Sequence, residues 1–460
     1  MTNKSRGNRG ILDGIRVLDL SQYLAGPHCT LLLSGMGAEV IRIDNPTTDD
    51  TLSGAPVFYG ADGPTIQKRN ESDIGIAFLK RSRGKKSITL DLKSDEGRNL
   101  FHRLVDKSDV VVENFSVGVT ERLGIDWPSL TTVNPRLIYC SITGYGATGP
   151  DAKRRAYDLT TQAMSGLMSV TGQPGNPPTK AGTPLADTVS AGFAFSGILG
   201  ALFHRERVGE GQLVDVSMTD VLFSLIFDEA LDVYERLGMP FQQGNRIMRF
   251  SPFNAYPTED GWVVIGIGHD AMWRALCTLI EREDLAHDPD WGRMDWRVEH
   301  NAQVDEMLSE WTRDRPTEPA VAALESAGIV ASPVQNIDDL LAWPHLQARG
   351  MIDTVEHPTL GPLEDLKAAG FPLKFGAASS GYGGAPAFCG AHNSEILGTL
   401  LGLEADEIAS LAKRARLLLL LLVLLLPPPV AIVALVIIII GEWGRRSTAP
   451  ARHRACPPAF

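Results

Sequence analysis

Two carboxylates and one basic run stand out in this 460-residue chain as groups placed to do chemistry. Asp158, in Arg154-Arg155-Ala156-Tyr157-Asp158, opens an apolar stretch of helical pattern, where a carboxylate can cap free N–H groups. Asp187, in Pro184-Leu185-Ala186-Asp187-Thr188-Val189-Ser190-Ala191-Gly192, stands just before a second helix and can also be read as a cap. Its setting differs from that of Asp158, because small residues follow it and leave a bulky ligand room to approach. That access favours a chemical role for Asp187 beside the capping one. Arg81-Ser82-Arg83-Gly84-Lys85-Lys86 is the densest basic run ahead of the C-terminal tail, and reads as a solvated edge or as a clamp for an anionic ligand. Gly26, followed 18 residues later by Asp44, has the offset of a dinucleotide site, but the glycines of GxGxxG are absent, which argues against a nicotinamide enzyme.

The elements that must position these groups alternate. Ile15–Leu20 reads as a strand, Gly26-Pro27 as a turn, residues 27–36 as a helix closed by Gly37, and Glu39–Asp44 as a second strand. Ser87–Leu92 is a further strand, followed by a helix capped by Ser94 with Asp95 and Glu96 in its first turn. Asp109–Val112 and Leu137–Thr143 continue the strand series, the latter running into a loop with Gly144, Gly146 and Gly149. Leu159–Val170 and Thr188–Glu206 are apolar helices, and Gln212–Met218 is another strand. This alternation predicts an α/β fold with a parallel sheet covered by helices. The pattern places the large domain over 11–225, a smaller α+β domain over 226–340, and a return to the large domain over 341–413.

Acidic residues outnumber basic ones, 55 to 43, for a formal charge of −12, which excludes nucleic-acid binding driven by bulk charge. The five cysteines are scattered and include no CxxC, so neither a disulfide scaffold nor a zinc ribbon is expected, and a reducing cytoplasm fits. The polar N-terminus precedes no apolar run of signal-peptide length. Residues 414–460 are atypical. Leu417–Leu426 and Val430–Ile440 are almost wholly aliphatic and are separated by three prolines, which reads as a membrane anchor or as a non-native extension.

Taken in order, several segments together resemble family III CoA-transferases, the group that contains formyl-CoA and carnitine CoA-transferases and the α-methylacyl-CoA racemases. They are Leu24-Ala25-Gly26-Pro27 with residues 37–44, Lys85 to Lys93, Val112-Glu113-Asn114-Phe115, and Asn134 to Ile138. Gly144-Tyr145-Gly146, Tyr157-Asp158, the Asp187 segment with Gly209-Glu210-Gly211-Gln212, and finally residues 344–350 and 390–397 continue the match. The resemblance implies a Rossmann-like large domain completed by the C-terminal region, a small domain, and a homodimer of interlocked chains. It implies transfer of CoA from an acyl-CoA to a free carboxylic acid, with CoA as co-substrate and neither metal nor redox cofactor. It makes Asp187 the carboxylate that becomes acylated, first as an anhydride and then as a CoA thioester. Backbone N–H groups of the following helix are expected to stabilise the oxyanions.

Gln22, Leu24, Ala25, Leu90, Asp91, Leu92, Lys93, Asn114, Phe115, Ser116, Arg122, Arg154, Arg155, Ala156 and Tyr157 fall where the family contacts CoA. Leu90 and Leu92 also read as plain strand residues, and Arg122 as the close of a helix. The glycine-rich loop of oxalate-using members is replaced here by Gln243 to Arg249, where Arg246 and Arg249 read either as surface residues or as a clamp for the distal carboxylate of a diacid. A non-catalytic acyl-CoA-binding protein and a 2-methylacyl-CoA racemase are the alternatives. Racemising members place His directly before the acid that Asp158 matches, and this chain has Tyr157 there. A phenol with a pKa near 10 is a poor base at neutral pH. Incubation of a 2-methylacyl-CoA with the protein in heavy water is therefore expected to leave the α-position unlabelled by mass spectrometry, and catalytic deuterium uptake would contradict it.

Overall fold

The computed structural model describes residues 10–48, 51, 56–70 and 72–411, so the atypical apolar tail lies outside the described residues. Six strands form one parallel sheet: β1 (Arg16–Asp19), β2 (Glu39–Asp44), β3 (Lys86–Thr89), β4 (Val110–Glu113), β5 (Ile138–Thr143) and β6 (Gln212–Ser217). Their spatial order is β3-β2-β1-β4-β5-β6, the doubly wound arrangement in which direction reverses between β1 and β4. The central strands are covered on both faces, which is why Val110, Val111 and Val112 are all fully buried.

The helices that bear on this sheet and on its C-terminal edge are α1 (Ala25–Gly35), α2 (Ile76–Arg81), α3 (Asp95–Asp106), α4 (Val119–Leu123), α5 (Asp158–Met164), α6 (Leu185–Val208) and α7 (Asn393–Leu401). As expected, Ser94 caps α3 by accepting the Gly97 N–H at 3.0 Å. Two helix starts differ from the sequence reading. Gly26 and Pro27 lie inside α1 rather than in a turn before it. Gly26 is needed for close approach, since a Cβ there would fall 2.1 Å from the Ser21 Cβ. α6 begins at Leu185, so Asp187 sits within its first turn, not ahead of it. The apolar stretch expected as one helix is cut into α5 and a separate turn of helix, Leu167–Val170.

Two compact units result. The first holds the parallel sheet and comprises, of the described residues, those up to Ser165, Gly182–Leu225 and Ala348–Leu411. The second gathers Ile226–Gln347 with Gly166–Ala181, a segment that the sequence reading leaves in the large domain. Within it, three antiparallel strands (Phe253–Pro257, Trp262–Gly266 and Val330–Pro333) pack Tyr256, Val263 and Ile265 against the buried Trp273, Leu276 and Val304.

The C-terminal return completes the first unit at the free edge of β3. The His392 N–H donates to the Ser87 carbonyl at 2.9 Å, and the Asn393 side chain exchanges two 2.9 Å hydrogen bonds with Thr89. Ile396, Leu397, Ile408 and Leu411 join the same apolar core as Ile41, Ile88 and Phe101. The antiparallel pair Ile352–His357 and Gly361–Ala369 packs Val355 and Leu363 on Phe78 and Leu79 of α2. α6 is the one helix among the described residues long and apolar enough to cross a membrane, but it packs along α1, β5 and β6 with close to half of its apolar window buried.

Beneath the start of α1, the fully buried Lys85 ammonium donates to Asp19 (3.1 Å), the Pro27 carbonyl (2.8 Å) and Thr30 (2.7 Å). Removing one partner of a buried pair strands the other charge and costs about 3–5 kcal/mol. Lys85→Met is therefore expected to lower stability by about that amount in urea unfolding. Lys85→Met combined with Asp19→Asn should recover a substantial part of it, and equal loss in the single and double variants would contradict the pairing.

Candidate active site

The two carboxylates singled out in the sequence come together, but in unequal roles. Asp158 is the first residue of α5, and its carboxylate caps a different helix from its own. Oδ1 accepts the N–H groups of Ala186 (2.8 Å) and Asp187 (3.3 Å) at the start of α6, and Oδ2 accepts from Gln162 Nε2 at 2.7 Å. The cap of α5 is instead Tyr157, whose backbone N–H is bonded by Thr160. Asp187, by contrast, has a half-buried carboxylate with no hydrogen-bond donor or ion-pair partner among the described residues. Burial, and then the negative charge of Asp158, push its carboxyl up to about 6, against the pull of Arg81. An acidic group that is unpaired, accessible and raised in this way is a candidate reactive residue.

The helix N-terminus does not offer the expected oxyanion donors. The Leu185 N–H donates to Thr183 O at 2.8 Å, those of Ala186 and Asp187 go to Asp158, and that of Thr188 goes to Pro184 O at 3.1 Å. All four leading N–H groups of α6 are engaged, which corrects that part of the sequence reading.

The basic run is neither a solvated edge nor a phosphate clamp, because distant residues neutralise most of it. Arg83 pairs with Asp353 at 3.0 Å and lies over the Tyr382 ring, Lys85 is buried on Asp19, and Lys86 bridges Glu39 and Glu395. Arg81 donates from Nη1 to the Tyr23 carbonyl at 2.6 Å and feels the charge of Asp187. His28, in the first turn of α1, is held neutral: burial, then Lys85, Arg81 and Arg83, push its pKa down to about 4. The sequence reading does not single it out, since a lone His in an apolar helix carries no signal of the cations that surround it. Asp44 is committed to Arg42 (2.6 Å) and Ser87 (2.5 Å), which removes the ribose-binding role considered for it.

The residues matched to CoA contacts lie past the C-terminal ends of β1, β3, β4 and β5, the edge where doubly wound sheets bind ligands. Gln22 and Asn114 meet at the reversal point: the Gln22 N–H donates to Asn114 Oδ1, and Asn114 Nδ2 donates to Gln22 O, both at 2.8 Å. Leu24 caps α1, and Ala25 is its buried first residue. Leu90 is in the core and Leu92 lies against it, while Asp91 turns the chain by accepting the Lys93 N–H at 3.0 Å. The Phe115 N–H donates to the buried Glu113 at 2.7 Å, Ser116 leads into α4, and Arg122 is exposed on that helix. Arg154 pairs with Asp151 and lies over Tyr145, with Arg155 exposed beside it. Ala156 packs on Gly144, where any Cβ would fall 2.2 Å from its own, and Tyr157 is 71% exposed.

Within the second unit, Arg246 pairs with Asp305 at 2.7 Å and Arg249 with Glu229 at 2.9 Å. Both arginines are thus neutralised locally, and neither stands as the clamp for a distal carboxylate. Among the described residues no group of three or more His, Cys, Asp or Glu side chains is arranged to hold a metal ion.

Residues 12–393 match CoA-transferase family III. A succinyl-CoA:mesaconate CoA-transferase of Haloarcula hispanica is 39% identical over 394 residues, 84% of this chain and 96% of the relative. A succinate–glutarate CoA-transferase of Agrobacterium fabrum is 37% identical over 342 residues, 74% of this chain and 84% of the relative. The crystal structure of a CAIB/BAIF family protein from Brucella suis superposes with a TM-score of 0.73 at 32% identity, covering 85% of this chain and 100% of that one.

The two roles of Asp158 can be separated. Asp158→Asn keeps an oxygen for the α6 N–H groups and removes the charge, so the Asp187 carboxyl should titrate below about 6 when followed by carbon-detected NMR. Asp158→Ala removes the cap as well and should cost about 0.5–2 kcal/mol of stability. A midpoint that stays at about 6 in Asp158→Asn would mean that the neighbouring charge is not felt.

Proposed function

The chain belongs to CoA-transferase family III, and on that premise we propose that Asp187 carries the transfer of CoA from an acyl-CoA donor to a free carboxylic acid. The observation that carries this reading is the contrast between the two acids: Asp158 is hydrogen-bonded on both oxygens, and the Asp187 carboxylate beside it has no partner among the described residues. An Asp187 oxygen attacks the donor thioester carbonyl and expels CoA thiolate, leaving a mixed anhydride. The thiolate attacks the Asp187 carbonyl carbon, releases the donor acid and leaves an aspartyl-CoA thioester. The acceptor carboxylate then attacks that carbon and expels the thiolate, which attacks the acceptor's acyl carbon to give the new acyl-CoA and restore the Asp187 carboxylate. Splitting the exchange in this way replaces one hard step by easier ones. Water must be kept from both intermediates, since either would hydrolyse.

The residues around the ends of β1, β3, β4 and β5 are proposed to hold CoA, and the relatives' names favour succinyl-CoA as donor and dicarboxylates as acceptors. The assembly proposed is the interlocked homodimer implied by the family resemblance.

Mixing the protein with succinyl-CoA and no acceptor should leave CoA or succinyl on the peptide that contains Asp187, and hydroxylamine should convert that residue to a hydroxamate. Label on Asp158 or Cys140 would overturn the assignment. Asp187→Asn should fold and lose transfer by on the order of 10⁴-fold or more, as for other covalent nucleophiles. It should also be the more stable protein at neutral pH. Folding raises this carboxyl, so the native state holds its proton more tightly than the unfolded chain, and stability falls as pH rises from about 4 through about 6. Asp187→Asn escapes that loss, which after allowance for partial exposure is about 1–2 kcal/mol. Its advantage in thermal unfolding should be present at pH 7 and vanish near pH 4.

A further inference from the structure

We propose that Gln162 is a positioning residue for the reaction: through the Asp158 carboxylate it fixes the stretch of backbone from which Asp187 attacks, an assignment that rests on the covalent role proposed for Asp187. The Asp187 carboxylate has no hydrogen-bond or ion-pair partner among the described residues, so what aims it is the backbone that carries it. That backbone is held at its N–H, which donates to Asp158 Oδ1 at 3.3 Å beside the shorter 2.8 Å bond from the buried Ala186. Asp158 belongs to another helix, and it does not serve the start of its own, where Tyr157 is the cap. Its place over the first turn of α6 has to be fixed from elsewhere.

Gln162 supplies that constraint. It lies one helical turn after Asp158 on α5, the i,i+4 spacing at which an amide reaches a carboxylate, and its Nε2 donates to Asp158 Oδ2 at 2.7 Å. The torsion that turns a carboxylate about its Cβ–Cγ bond has no sharp minimum. Bonds on Oδ1 alone would leave the plane of the group free to turn, and the bond on Oδ2 fixes it. Gln162 has no exposure to solvent, so water offers no replacement for its amide, and a buried polar group must keep its partners. From Gln162 to Asp158 and from Asp158 to the Asp187 N–H, each link is a direct hydrogen bond within the first unit. Misplacement of a reacting group by about 1 Å costs a rate on the order of 100-fold, which makes such a relay matter to the chemistry.

The test uses the full chain and follows single-turnover labelling of Asp187 by succinyl-CoA. In Gln162→Leu the maximal rate should fall about 10- to 100-fold. The half-saturating succinyl-CoA concentration and the final extent of label should stay within a factor of two of the wild-type protein. In an Asp158→Ala background the same substitution should change the rate less than twofold, because the link it acts through is gone. Gln162→Glu restores the donor only while the new carboxyl is protonated. Its rate relative to the wild-type protein should therefore climb as pH is lowered from about 8 to about 5, and the Gln162→Leu ratio should stay flat. The Gln162→Glu ratio decides alone where Gln162→Leu fails to fold. An unchanged rate in Gln162→Leu, a loss carried by half-saturation only, equal losses with and without Asp158, or a flat ratio for Gln162→Glu would each overturn the proposal. Absence of label on Asp187 in the wild-type protein would instead remove the covalent reading on which it rests.

Discussion

A lysine with no access to solvent is held under the first turn of α1, and the geometry of the ligand-facing edge depends on that constraint. Asp19 ends β1 and is itself buried; burial would raise its carboxyl, but Lys85, Ser21 and Thr30 outweigh it and hold the group below the usual carboxylate range. Its Oδ1 accepts the Ser21 N–H at 3.0 Å, and its Oδ2 accepts the Thr30 hydroxyl at 2.5 Å. Lys85 adds the Pro27 carbonyl to the same knot. The chain between β1 and α1 is therefore pinned at residues 19, 21, 27 and 30, and the intervening Gln22, Tyr23 and Leu24 have little freedom. A buried ion pair is weak evidence for stability, because desolvation offsets much of the attraction. Its value here is positional: it fixes the backbone that meets Asn114 across the sheet and the carbonyl that meets Arg81.

The site then rests on a division between two similar side chains. One carboxylate is satisfied on both oxygens and serves to start a 24-residue helix at the right place; the other, on that helix, has no hydrogen-bond partner among the described residues. Proximity links the two functions, because after burial it is the capping charge that raises its neighbour's carboxyl. A carboxylate raised in this way is, once ionised, a more basic group than an ordinary surface aspartate.

Much of this architecture is legible in the chain itself. The unbroken apolar strands such as Val110–Val112 and the Ser94 cap announce parallel strands and their helices through local chemistry alone. Asp187 stands out because small residues come after it. What stays hidden depends on partners far away in sequence. Nothing near Asp158 signals that it caps a helix beginning 27 residues later, and a local reading gives it its own helix instead. The run from Arg81 to Lys86 reads as a charged surface until Asp19, Glu39, Asp353 and Glu395 arrive from four other places. Arg246 fails in the same way: its acid, Asp305, lies on a helix that nothing in the loop foretells.

The closure of the sheet edge by His392 and Asn393 has a consequence for how the chain is made. The Asn393 bond to Thr89 spans 304 residues, and the whole second unit is inserted between its ends. At synthesis rates of about 5–20 residues per second, the first three strands wait on the order of 15–60 s for the segment that covers them. During that interval β3 presents an unpaired parallel edge, the surface through which unfinished chains pair wrongly with one another. Folding of the first unit thus waits on a segment made much later than its first strands, its slow step being long-range closure once residues 392–411 have left the ribosome.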